Sequence, residues 1–171
     1  MKVEIERKFL LADESWRSAI VGSDHLRDGL ISEFNGSKVR VRLAQDRATL
    51  TVKSPRINLR RTEFEYDIPR HEAEAMLSTV CDGRVVEKTR YHVAHEGITW
   101  SVDVYEKGLE GVVIAEIELD REDQSFPRPK WLGQEVSNDP RFHKRNLLRL
   151  ALEDQSASIA ALLSVPLGVL G

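Results

Sequence analysis

The sequence predicts a protein of the α+β class, mainly β, built on an antiparallel sheet of about eight strands with few helices. Seven segments alternate apolar and polar residues with period two, and short turns join nearly all of them. Helical patterning is confined to three places. The 171 residues suffice for one domain, 1–171, with a sizeable core. Charged residues at 31% beside 41% hydrophobic ones fit a folded globular chain and exclude a disordered one.

The strands come in this order. Residues 3–10 (VEIERKFL) form the first. Residues 25–33 form a second with weaker alternation. Residues 37–44 and 48–54 follow, divided by the hairpin-length turn Gln45-Asp46-Arg47, and residues 60–68 end at Pro69, which closes the strand. Residues 84–95 and 98–106 flank Glu96-Gly97, and residues 112–119 complete the set. The helices are expected over 13–21, capped by Asp13 with Trp16, Ala19 and Ile20 on one side, and over 70–80, with Ala73, Met76, Leu77 and Val80 at helical spacing. A third starts at Asp139-Pro140, a cap followed by proline, and runs to about 163 with Phe142, Leu147, Leu150 and Leu163 on an apolar stripe.

The polar faces of these strands are not mixed in sign. Glu4/Glu6, Glu63/Glu65 and Glu116/Glu118 are acidic pairs, whereas Arg40/Arg42 and Lys88/Arg90 are basic pairs. An antiparallel sheet commonly wets its polar face, and alternation alone allows that reading here. Sorted signs argue otherwise, because a solvated surface usually intersperses them. At about 5 Å and an effective dielectric near 20, each like-charge neighbour pair costs on the order of 3 kcal/mol. If the apolar faces look outward to the helices, a closed sheet turns its charged face into a lumen. Acids on one wall and bases on another are unstable alone. They call for cations on the acidic wall and a polyanion on the basic one.

Here the sequence resembles the CYTH domain, or triphosphate tunnel metalloenzyme, superfamily, closest to its short bacterial members. Glu4-Ile5-Glu6-Arg7-Lys8 matches the opening ExExK signature. In register follow Arg40 and Arg42, Thr51 and Lys53, Arg61-x-Glu63-x-Glu65, Glu87-Lys88-x-Arg90-Tyr91, Asp103 and Glu116-x-Glu118. The stretch from Gly133 to Phe142 (GQEVSNDPRF) is similar to the one before the family's last helix. The resemblance covers residues 3 to about 150. It implies an eight-stranded antiparallel β-barrel tunnel, helices packed outside, and a C-terminal helix near one mouth. It implies a metal-dependent triphosphatase, most simply of inorganic tripolyphosphate. Nucleoside or thiamine triphosphatase and adenylyl cyclase are the alternatives within the superfamily, and a non-catalytic polyphosphate binder the alternative outside it. Two departures stand out. Asp28-Gly29-Leu30-Ile31 occupies the place of a Gln-Gly-Tyr-Leu stretch, which bears on the tunnel mouth. Lys144 replaces an Asn, which bears on the last helix.

On this resemblance Glu4, Glu6, Glu63, Glu65, Asp103, Glu116 and Glu118 form the metal-binding wall, and an all-oxygen set suits Mg²⁺ or Mn²⁺. Lys8, Arg40, Arg42, Lys53, Arg61, Lys88 and Arg90 bind the phosphate chain, the arginines in bidentate fashion. Glu4, Glu6, Lys8 and Lys88 are the expected catalytic residues. Arg7, on the opposite face, is expected to be structural. The five histidines, Cys81 and the three tryptophans are expected outside the chemistry.

The formal charge of −3 excludes a strong global attraction to nucleic acid or an anionic membrane. Cys81 is the lone cysteine, so neither an intramolecular disulfide nor a cysteine zinc site is expected. The start of the chain lacks an apolar h-region, and the apolar stretch 157–170 is broken by Ser164, Pro166 and Gly168. A cytoplasmic protein is expected, with a triphosphate as partner and a homodimer possible by family similarity.

Overall fold

Residues 2–152 are described by the structure, a computed structural model. Along the chain run β1 (Lys2–Leu11), β2 (Ile20–Phe34), β3 (Ser37–Leu43), β4 (Ala48–Lys53), β5 (Arg60–Asp67), α1 (Arg70–Thr79), β6 (Val85–His95), β7 (Ile98–Tyr105), β8 (Val113–Glu118), β9 (Leu132–Glu135) and α2 (Lys144–Leu152). The hydrogen-bonded order is β5-β4-β3-β2-β6-β7-β8-β1, and β1 pairs again with β5, closing eight antiparallel strands into a barrel. Closure leaves no free edge among those eight strands. β9, which carries no alternation and was not expected, extends the sheet along the far end of β1, with Phe9 opposite Glu135 and Leu11 opposite Leu132.

Local chemistry sets the hairpins. Asn35-Gly36 (φ 47° and 80°) joins β2 to β3, and Glu96-Gly97 (φ 46° and 81°) joins β6 to β7. Two consecutive left-handed residues match the twist of the flanking strands. β2 is longer than its alternation suggests. Residues 13–21 are not an α-helix: a 3-10 turn spans Ser15–Ala19, and the chain is extended from Ile20, opposite Val93 of β6. β-branched Ile20 and Val21 favour the strand. Asp13 accepts the Ser15 amide at 2.8 Å as a local turn, not as a helix cap.

The apolar strand faces do point outward, but helices cover only part of them. α1 lies on β2–β4, where Ala73, Leu77 and Cys81 pack with Val41, Leu43 and Ala48. Gly29 permits this approach, since a Cβ there would stand 2.5 Å from Cys81 Sγ and 2.8 Å from Leu77. Over β1, β6, β7 and β8 the cover is irregular chain: Trp16, Phe126 and Trp131 meet Phe9, Val93, Trp100, Val102 and Ile117. Trp100 is the hub, with T-shaped ring contacts to Phe9 (5.8 Å), Phe126 (5.5 Å) and Trp131 (5.6 Å). On β4 and β5, Val52, Phe64 and Tyr66 stay exposed.

The last helix begins four residues later than expected. Asp139-Pro140 opens a 3-10 turn (Pro140–Phe142) whose Asp139 accepts the Arg141 amide at 2.9 Å, and extended His143 (ψ 136°) then separates it from α2. Leu163 lies outside the described residues. Phe142, Leu147, Leu148 and Leu150 pack with Leu30, Val86, Tyr105 and Ile114, so α2 sits against one end of the barrel. Among the described residues no helix is long and apolar enough to cross a membrane.

Candidate active site

Period-two alternation on a closed sheet turns every second side chain inward. The result is a cavity of about 420 Å³. Of the residues assigned to the site from sequence, all line it except Asp103: Glu4, Glu6, Lys8, Arg40, Arg42, Lys53, Arg61, Glu63, Glu65, Lys88, Arg90, Glu116 and Glu118. Asp103 is fully buried behind the basic wall. Its carboxylate accepts from Arg90 Nε (2.7 Å) and Nη2 (2.8 Å) and from Lys88 Nζ, which orients those two cations and leaves it out of contact with the cavity.

The lumen is not a wall of bare acids facing a wall of bare bases. Strand register sets opposite charges side by side: Glu4 opposite Arg61, Lys8 opposite Glu116, Lys53 opposite Glu63, Arg90 opposite Asp103, and Asp28 opposite Arg42. Repulsion along each strand is thus met by attraction across strands. Lys53 Nζ lies 3.0 Å from Glu4 Oε1 and also touches Glu63, while Arg61 Nε donates to the other oxygen of Glu4. Lys8 Nζ bridges Glu6 (3.1 Å) and Glu116, and Arg90 reaches Glu116 at 2.7 Å. Nearer the surface, Lys2 meets Glu118 at 2.6 Å and Arg47 meets Glu65 at 3.2 Å.

Burial pushes the Glu4 carboxyl up, but the Lys53 and Arg61 charges outweigh it and hold the group down at about 2. Glu116 is held well below the carboxylate range, its desolvation outweighed by Lys8 and Arg90. Burial lowers the ammonium groups of Lys53 and Lys88, and in each case a neighbouring arginine assists. Lys8 goes the other way, since Glu116 and Glu6 overcome its desolvation.

Three further residues shape the lumen. Asp28, fully buried on β2, is bound by Arg42 Nε at 2.7 Å and Nη2 at 3.2 Å, with Lys88 at 3.8 Å and Arg40 at 3.9 Å. Lys144 Nζ donates to the same carboxylate from α2, so its side chain belongs to the cavity and not merely to the helix surface. Arg56, in the loop before β5, reaches Glu6 at 3.3 Å. Asp28 sits where alternation is weakest, Arg56 sits on no strand, and Lys144 is placed by tertiary packing. Their one sequence signal is that Asp28 and Lys144 stand at the two departures from the family pattern.

The carboxylates fit a hard cation by chemistry: Glu6 faces Glu118 across β1–β8, with Glu4 and Glu116 two residues away on the same strands and faces, an all-oxygen donor set. Among the described residues, the His/Cys/Asp/Glu group whose ligand atoms already converge within 4.8 Å is His25, Glu87 and Glu106, outside the lumen. Arg27 and Lys107 pair with its Glu87, at 3.5 and 2.7 Å. Of the other histidines, His143 lines the cavity and His92 pairs with Asp24 at 2.7 Å. Arg7 is structural as expected, bonded to Glu135 and stacked on Phe9 (5.5 Å) and Phe126 (5.1 Å).

Comparison with known proteins agrees with this architecture. The CYTH domain model matches residues 2–146. An inorganic triphosphatase of Acetivibrio thermocellus is 42% identical over 149 residues, covering 87% of this chain and 95% of that protein. An inorganic triphosphatase of Nitrosomonas europaea is 34% identical over 148 residues, covering 84% and 95%. A crystal structure described as an inorganic triphosphatase superposes with a TM-score of 0.63 at 31% identity, covering 86% of this chain and 95% of its own.

Proposed function

The chain belongs to the CYTH domain family, and from that premise we propose that it is a metal-dependent inorganic triphosphatase acting on tripolyphosphate inside the barrel. The observation that carries this is the lumen itself: acids and bases collected in one cavity, most of them positioned by strand register. A phosphate chain competes with carboxylates for the same cations. Arg40, Arg42, Lys53, Lys88 and Arg90 bind its oxygens, with Lys8 and Arg61 beside them, and the arginines suit bidentate contact. Asp28 and Asp103 hold their cationic partners in place beforehand, so little reorganisation accompanies charge development.

The ion pairs also keep the acids occupied until substrate arrives. Once phosphate oxygens draw Lys53 and Arg61 away, both oxygens of Glu4 are freed. Glu4 and Glu6 are then placed to orient an attacking water, its proton passing to solvent. Lys8 and Lys88 neutralise charge on the phosphoryl oxygens during in-line displacement. The attacking oxygen forms a P–O bond at a terminal phosphorus, the bridging P–O bond breaks, and orthophosphate and a shortened chain result. A divalent cation held by Glu4, Glu6, Glu116 and Glu118, with Glu63 and Glu65 nearby, would supply neutralisation of the phosphate and a more acidic water. We place this activity in the cytoplasm and expect a homodimer, which sedimentation tests.

The direct test offers tripolyphosphate, ATP and thiamine triphosphate with Mg²⁺, Mn²⁺ or EDTA and measures orthophosphate. Release from tripolyphosphate with metal and none in EDTA is expected. Absence of release from every triphosphate with either metal would refute the hydrolase.

A further inference from the structure

Lys144 stands apart from most lumen cations. Those sit on barrel strands, or in the case of Arg56 on a strand-flanking loop, whereas Arg145, which pairs with Glu33 at 3.5 Å, and Lys144 are delivered from the first two residues of α2. Its ammonium donates to Asp28 and stands among Arg40, Arg42 and Lys88, the cations assigned to the phosphate chain. An ammonium carries three donors, and Asp28 takes one. Around this point five cations, Arg40, Arg42, Lys88, Arg90 and Lys144, share three buried carboxylates, Asp28, Asp103 and Glu116, the last also paired with Lys8. Arg40 Nε is buried and makes no hydrogen bond among the described residues, although its nearest carboxylate oxygen stands 3.9 Å away. Donors and positive charge exceed acceptors, so the cluster is matched by an anion with several oxygens. Burial, relieved only in part by Asp28, holds the Lys144 ammonium well below the ordinary lysine range, as expected of a cation short of negative partners.

Leu30, Phe142 and Leu148 line the cavity beside it, and α2 lies over them. A phosphate chain held by Arg40, Arg42 and Lys88 and extending toward α2 meets this apolar surface, which cannot solvate further charge. Lys144, among those cations, carries positive charge from α2 itself.

We propose that Lys144 is a further substrate-binding residue of this chain, holding the phosphoryl group that lies nearest α2, and that Asp28 is its positioning residue. The proposal rests on the lumen being the triphosphate site. It makes the C-terminal helix part of the binding surface, so that substrate and helix docking reinforce each other through one side chain.

The test compares Lys144→Met, Lys144→Arg, Arg42→Ala and the wild type. Tripolyphosphate binding is measured calorimetrically in EDTA, and kcat and KM are measured with Mg²⁺. Lys144→Met is expected to weaken binding and raise KM about tenfold, equivalent to about 1.4 kcal/mol, with a much smaller change in kcat. Lys144→Arg is expected to recover most of the affinity. Thermal melting of each variant separates a helix-latching role, which lowers Tm with affinity unchanged. If Arg42→Ala loses affinity while Lys144→Met binds within twofold of the wild type, the role of Lys144 is overturned and the site stands. If neither variant loses affinity, the lumen is not the triphosphate site, and both readings fall.

Discussion

At Glu4 the sequence reveals the side chain's face but not its neighbours. Alternation in residues 3–10 puts Glu4, Glu6 and Lys8 together, and all three do line the lumen. Its pairing with Lys53 and Arg61 depends on strands some fifty residues away, which no local pattern encodes. The same gap explains Asp103. Its type and alternation match a metal ligand, yet its cross-strand partner Arg90 and neighbour Lys88 claim both oxygens. Glu4→Gln keeps the size and an acceptor but removes the charge, so kcat should fall about 10²–10³-fold while far-UV circular dichroism is unchanged. A variant turning over at the wild-type rate would remove Glu4 from the chemistry. The lowered carboxylates also predict acid sensitivity. Desolvation raises Asp28, Asp103 and Glu4, but their cationic partners lower them further, so the folded form binds fewer protons than the unfolded one. For Glu4 this stabilisation is complete above its ordinary value of 4.5 and is lost as the pH falls toward about 2. Melting curves in EDTA should therefore show Tm dropping steeply below about pH 4.5, whereas an unchanged Tm at pH 3 would contradict the buried ion pairs.

Strands were more legible than helices, for a physical reason. Seven strands carry a period-two signal because each has a charged face in the lumen and an apolar face outward, covered on most strands and exposed at Val52, Phe64 and Tyr66 of β4 and β5. β2 reads weakly since Gly22, Gly29 and buried Leu26 and Leu30 interrupt the pattern, and β9 is only four residues long. The expected helix over 13–21 fails because three apolar residues at helical spacing also suit a 3-10 turn feeding a strand. Trp16 is buried in either case. The helix over 70–80 holds, and its packing on Gly29 shows why. What composition could not indicate is that irregular chain around Phe126 and Trp131 does the covering elsewhere. Trp100 joins that cover to β7, so Trp100→Ala should cost about 3–5 kcal/mol in urea unfolding. A loss below about 1 kcal/mol would mean that the aromatic cluster is dispensable.

For the whole molecule, a polyanion bound in the lumen should add stability. Ligand that binds only the folded form stabilises it by about 2.7 kcal/mol at a hundred times its dissociation constant. Tripolyphosphate should thus raise Tm in EDTA, and less so at high salt because screening weakens the competing charges. Orthophosphate at equal ionic strength is the control, and an equal rise with it would point to a general salt effect. β1 gives the architecture a kinetic consequence. It bonds to β5 at residues 60–63, to β8 at 115–118 and to β9 at 132–135. The first strand in chain order is therefore the last to find all its partners. Contacts of such long sequence separation form slowly. The meander from β2 to β8 can assemble as an open sheet, and Glu4, Glu6 and Lys8 enter the site only when β1 slots into the gap. Recovery of enzyme activity after dilution from urea should lag behind recovery of the β-sheet signal.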